Sequence, residues 1–145
     1  MPQRLTLDGM IAHFERMEAA ASGLTHEAAR LTAPVIAESI RTTIGDLNEL
    51  TPLADSTIAR KASAGYDQPE APLIATGELR DSVTFAAVGN MATAGSDEMK
   101  AKWHEYGSSV GRYPPRPAFR IGLNKALPFT RLIAKGVVGA FLGKR

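Results

Sequence analysis

His104-Glu105 places an imidazole and a carboxylate next to each other in sequence. A histidine base oriented by an acid is the start of proton-transfer chemistry. Side chains at i and i+1 of a helix diverge, however, so Glu105 cannot hold the His104 ring, and His104 reads as a packing or hydrogen-bonding residue. No serine or threonine sits in a nucleophile elbow, and no paired carboxylates stand out. His13 and His26 have no partner at metal-ligand spacing. Thr76-Gly77 with Arg80 has the residue types of a phosphate cradle. It lacks the lysine and the glycine count of a P-loop, so it reads as a structural turn. What remains is cationic. Arg112, Arg116 and Arg120 recur every four residues through a stretch containing Pro114, Pro115 and Pro117. Each proline fixes its own φ and keeps its predecessor out of the helical region. The expectation is a stiff surface arm that lays arginines against another molecule. Neither a catalytic residue, a metal nor a cofactor is expected.

The elements that must position this arm follow from periodicity. Leu7, Ile11, Phe14, Met17 and Ala21 form one apolar stripe of a helix that Asp8 can cap and Gly23 ends. Thr25 caps a second helix striped by Ile36, Ile40, Ile44 and Leu47, with a kink or restart expected at Pro34. Pro52 ends it, and Asp55 or Ser56 can cap a short helix through Lys61. Residues 62–72, with Gly65, Pro69 and Pro72, read as a mobile loop. Thr76 can cap a single turn. Val83, Phe85 and Ala87 alternate as a strand, Gly89-Asn90 makes a turn, and residues 91–95 return. Asp97 caps the helix that carries Lys100, Trp103 and Tyr106, and Gly107 stops it. Residues 118–121 read as a further strand closing the sheet. Pro128 then opens a last helix with Phe129, Leu132, Ile133, Val137 and Phe141 on its apolar face. The fold class is α+β: N-terminal amphipathic helices packed on a small antiparallel sheet, an extended Pro/Arg loop and a C-terminal helix, all in one domain of residues 1–145.

Bulk properties narrow the function. A chain of 145 residues buries enough surface to fold without staples. The absence of cysteine excludes a disulfide framework, a thiol nucleophile and a thiolate zinc site. With no long apolar run and no basic-then-apolar start, a soluble chain of the reducing cytoplasm is expected, with no membrane partner. Charge is divided sharply. Residues 1–99 hold 7 Lys and Arg against 14 Asp and Glu, whereas residues 100–145 hold 10 against Glu105 alone. Three arrangements accommodate that division: a basic surface facing nucleic acid, an acidic face of one subunit meeting the basic face of the next, or two solvated faces.

Two blocks of sequence carry a resemblance. Trp103-His104-Glu105-Tyr106-Gly107, followed by Pro114-Pro115-Arg116-Pro117-Ala118-Phe119, resembles the "H-E-[FY]-G, then P-P-R-P-F" pattern of neck and tail-completion proteins of tailed bacteriophages. Upstream, Pro52, Leu53, Thr57, Arg60 and Lys61 match a "P-L-x-x-T-x-x-R-K" block. Pro72, Leu73, Ile74, Thr76, Gly77, Leu79, Arg80 and Ser82 match "P-L-I-x-T-G-x-L-R-x-S". Leu50 stands where the family often has tryptophan, and Lys100 where it often has an aromatic residue. The matching region spans roughly half the chain, residues 51–123.

The resemblance implies a non-enzymatic virion component: a hexameric or dodecameric homo-oligomeric ring at the head–tail junction, around the DNA channel. Its implied partners are head-closure or adaptor proteins, tail-terminator or tail-tube proteins, and packaged DNA touched transiently and without sequence preference. Its implied place is the neck or upper tail of the virion, reached from the host cytoplasm during assembly. Residues expected to face a neighbour or the channel are Lys102, Trp103, Arg112, Tyr113, Arg116 and Arg120. Those expected to be structural are Thr76, Gly77, Leu79, His104, Glu105, Gly107, Pro115, Pro117 and Phe119. A tail terminator or minor tail protein is the near alternative. A free-standing basic nucleic-acid-binding module using Lys100, Lys102, Arg112, Arg116, Arg120 and Lys125 is the distant one, with Tyr113 its candidate stacking aromatic.

Overall fold

The computed structural model describes residues 6–143. In chain order it has helix α1 (Leu7–Thr43), helix α2 (Asp55–Ser63), a single turn α3 (Glu78–Asp81), strands β1 (Thr84–Val88) and β2 (Met91–Gly95), helix α4 (Met99–Tyr106) and helix α5 (Ala118–Leu142). The fold is α+β, mostly helical, with one antiparallel hairpin as its sheet.

The two expected N-terminal helices are one. Gly23 costs a helix about 1 kcal/mol relative to alanine. It is flanked by Ala19, Ala20, Ala21 and Leu24, which favour helix strongly enough to carry the chain through. The Thr25 hydroxyl, expected to start a new helix, instead donates to the Ser22 carbonyl one turn back at 2.9 Å. Pro34 also lies inside the helix. The N-cap is Thr6, whose hydroxyl accepts from Gly9 N–H, rather than Asp8, which falls in the first turn.

The strand expected at residues 118–121 is the first turn of α5, and Pro128 sits well inside that helix rather than at its start. The sheet is therefore two-stranded. Its register runs from Thr84 opposite Gly95 to Val88 opposite Met91, closed by Gly89-Asn90 as expected. The hairpin lies along the back half of α1, tied at both ends. Arg41 Nη2 donates to the Val83 carbonyl at 2.5 Å, and His26 Nδ1 donates to the Gly89 carbonyl at 2.8 Å.

The core sits where the back half of α1 meets α5 and the hairpin. Ala29, Ala33 and Ala37 recur every four residues on α1, as do Ala118, Gly122 and Ala126 on α5, and all are buried. Two such rows of small side chains let helix backbones approach closely. At Gly122 the approach is closest: an added Cβ would stand 2.6 Å from the Ile40 Cα. The Ser39 hydroxyl donates to the Gly122 carbonyl at 2.7 Å across the same contact. Ile36, Ile40, Ile44, Leu50, Leu79 and Val83 complete the core. In contrast, no residue from 7 to 28 is buried.

Because Ile40 backbone atoms cannot yield, Gly122→Val is expected to cost about 1–3 kcal/mol of stability. Thermal and urea unfolding followed by circular dichroism would measure it, and an unchanged midpoint would contradict this packing.

Candidate functional site

The sequence blocks that carry the resemblance converge around α4 and the start of α5. Helix α4 ends at Gly107, whose φ of +77° is one that side chains rarely adopt. A Cβ at Gly107 would also lie 2.9 Å from the Pro115 nitrogen. The chain then loops through residues 108–116 and returns alongside α4, where Arg116 N–H donates to the His104 carbonyl at 2.7 Å.

Glu105 acts here, away from His104. Its two carboxylate oxygens accept from Phe119 N–H and Arg120 N–H, each at 3.0 Å. The first N–H groups of a helix have no partner within it, and negative charge is favoured at that end. One carboxylate therefore starts α5 from 14 residues upstream. Here lies a reason that residues 118–121 are helical: Glu105 takes the Phe119 and Arg120 amides, while those of Ala118 and Ile121 donate to the Arg116 and Pro117 carbonyls.

Arg116 departs from the surface role expected of it. Its side chain is turned inward and buried, with Nε donating to the Thr51 carbonyl at 2.7 Å and Nη2 to the Pro52 carbonyl at 2.9 Å. Burial pulls its affinity for a proton below the ordinary guanidinium value. The extended arm is thus strapped onto its own body at its middle. Arg112, Tyr113 and Arg120 remain exposed, as do Lys102 and Trp103 on α4. Arg112, Tyr113 and Arg116 gather at one cleft with Arg60 and His104, while Lys102, Trp103 and Arg120 do not line it.

His104 is half-buried, and its Nδ1 has no hydrogen-bond partner among the described residues. Its ring lies 6.4 Å from that of Tyr113. Desolvation, reinforced by the charges of Arg116 and Lys100, holds the imidazole below its usual protonation range.

Lys61 does for the upstream block what Glu105 does for the downstream one. Its ammonium donates to the carbonyls of Gln68 at 3.2 Å, Ala71 at 2.9 Å and Ile74 at 2.6 Å. Desolvation lowers its proton affinity, with the Glu70 charge opposing the change. The loop expected to be mobile is instead folded back over this cation, with Ala71 and Pro72 buried. Leu73, within the wrapped segment, takes a positive φ of 64°. Thr76 makes no cap; Gly77 occupies that position before α3 with a φ of +90°, and Leu79 joins the core. Helices α2 and α4 likewise begin at Ala54 and Glu98 without a side-chain cap, in place of the Asp55 or Ser56 and Asp97 caps expected.

Among the described residues no group of three His, Asp or Glu side chains could hold a metal ion, and no helix is long and apolar enough to cross a membrane. Comparison of the chain with protein-family models, with curated proteins and with solved structures finds no match in any of the three.

Two outcomes follow from this geometry. Glu105→Ala leaves the first amides of α5 unsatisfied and is expected to cost about 1–2 kcal/mol in urea unfolding, as other lost caps do. His104 has the opposite dependence from a stabilising ion pair. Its folded-state proton affinity is lowered, so below about pH 6.5 the unfolded chain takes up the proton first and stability falls. The urea midpoint is expected to drop more steeply between neutral and mildly acid pH in the native chain than in His104→Gln; parallel profiles would rule this out.

Proposed function

We propose that this chain is a structural ring subunit at the head–tail junction of a tailed phage or phage-derived particle, surrounding the DNA channel and joining head to tail, with no catalytic role. The observation that carries the reading is the pair of uncovered, unlike surfaces on the two long helices. The front half of α1 exposes Leu7, Ile11, Phe14 and Met17, each at least half exposed, beside Asp8, Glu15 and Glu18. Beyond Pro128, α5 exposes Phe129, Leu132 and Leu142 beside Arg131 and Lys135, with no acidic residue. Exposed large apolar side chains gathered on a helix in this way point to an interaction site. Two different patches of opposite charge suit head-to-tail contacts, which close into rings when the rotation permits.

The bonding between the resembling blocks also supports the reading. Arg116 of the downstream block donates to the carbonyls of Thr51 and Pro52 at the head of the upstream one. Residues matched at distant positions are thereby parts of one device. The same inward turn of Arg116 weighs against a free-standing nucleic-acid module, which needs its cations on an open face.

Light scattering of the purified chain is expected to give a multi-copy assembly, and Ile11→Glu with Phe14→Glu to reduce it to single copies with unchanged helicity. Particles assembled without the chain are expected to appear in micrographs as filled heads beside finished, unattached tails. Overlong tails would assign it to tail termination, and normal particles would refute the proposal.

A further inference from the structure

Between the first turns of α2 and the loop of residues 108–116 lies a cleft of about 650 Å³. Arg60, Arg112 and Arg116 line it together with Thr57, Tyr113 and His104, and no Asp or Glu does. None of the three arginines takes part in an ion pair among the described residues. Arg116 decides what this means. It is only 8% exposed, and in place of most of its water it has received two neutral carbonyls. A guanidinium has five N–H donors; Nε and one on Nη2 are used, and the pair on Nη1, which keeps some access to solvent, meets no acceptor among the described residues. Lys61 makes the contrast plain, because its three donors meet three carbonyls. Buried charges are ordinarily paired with an opposite charge, at considerable cost when they are not. Arg116 has no opposite charge beside it among the described residues, and the cleft that it lines gives an anion a route to it.

We propose that this cleft receives a carboxylate side chain from an acidic protein segment, with Arg116 gripping it from the floor and Arg60 and Arg112 closing over it from the rim. Planar guanidinium forks match a carboxylate through paired hydrogen bonds. The volume is that of a side-chain or ligand pocket, and the walls supplied by Leu53 and Pro114 accept the apolar stem of a glutamate. A DNA duplex is the wrong shape for it. Phosphates are read along open basic surfaces, whereas this charge lies at the bottom of a walled recess that a single side chain can enter. The site stands whether or not the chain forms a ring.

Titration of the full-length, nitrogen-15-labelled chain with a capped hexaglutamate peptide tests it by NMR. The expected result is movement of the Arg116 Nε–H and His104 ring signals, with no such movement for hexaglutamine. Arg116→Lys keeps the charge but loses the fork and should weaken binding; because Arg116 also holds the fold together, the rim provides the cleaner variant. Arg60 and Arg112 are exposed and make no side-chain hydrogen bond or ion pair among the described residues, so Arg60→Ser with Arg112→Ser should leave the spectrum folded and weaken the peptide by about tenfold or more. Equal response to hexaglutamine, unchanged affinity in the rim variant, or binding of only inorganic phosphate or a short DNA duplex would each overturn the proposal.

Discussion

A single carboxylate reaching forward along the chain sets the geometry of the molecule. By taking the Phe119 and Arg120 amides, Glu105 fixes where α5 begins and therefore the phase of everything on it. With the helix started at Ala118, Gly122 falls against the Ile40 backbone and Ala126 faces the core. Starting α5 one residue later would rotate its small-residue row by about 100° and turn larger side chains against α1. The same anchor fixes the residues just before the helix, and so sends Arg116 inward.

The cations of the resembling blocks divide their labour in a way that composition does not reveal. Lys61 and Arg116 both serve as solvent for backbone carbonyls in segments too irregular to satisfy themselves through a helix or ladder. Lys61 gathers the residue 62–74 segment, and Arg116 fastens the loop of residues 108–116 to the chain near Pro52. Neither could be replaced by a neutral side chain without stranding several carbonyls at once. Arg60 and Arg112, close to them in sequence and in space, carry no such duty.

Local patterns in the sequence were a good guide wherever the determining contact was itself local. The hairpin and its Gly89-Asn90 turn, the stop at Gly107 and the short helix after Pro52 all follow from neighbours a few residues apart. Most failures fell where a distant group decided. Residues 118–121 alternate like a strand, and only the position of Glu105 makes them helical. The 62–72 segment has the composition of a loop, and only the Lys61 ammonium gives it a fixed path. Gly23 and Thr25 read as a stop and a start, yet helix-favouring residues on both sides outweigh them. The three arginines of the arm looked equivalent by spacing. What separates them is the Thr51 and Pro52 carbonyls, more than sixty residues away, to which only Arg116 is bound. Arg60 had a signal, being part of a matched block, but nothing in its surroundings in sequence pointed to the cleft.

Helix α1 is held along only part of its length. Its 37 residues extend over roughly 55 Å, and the grip of α5 and the hairpin is confined to the portion that contains the buried alanines and isoleucines. The remainder works as a lever arm. A tilt of about 10° at the gripped end would carry the far tip through roughly 5 Å, a displacement on the scale of one helical turn. The angle at which α1 leaves the body is set where Gly122 meets Ile40, so the position of its exposed tip is governed from inside the subunit, at a distance from the tip itself.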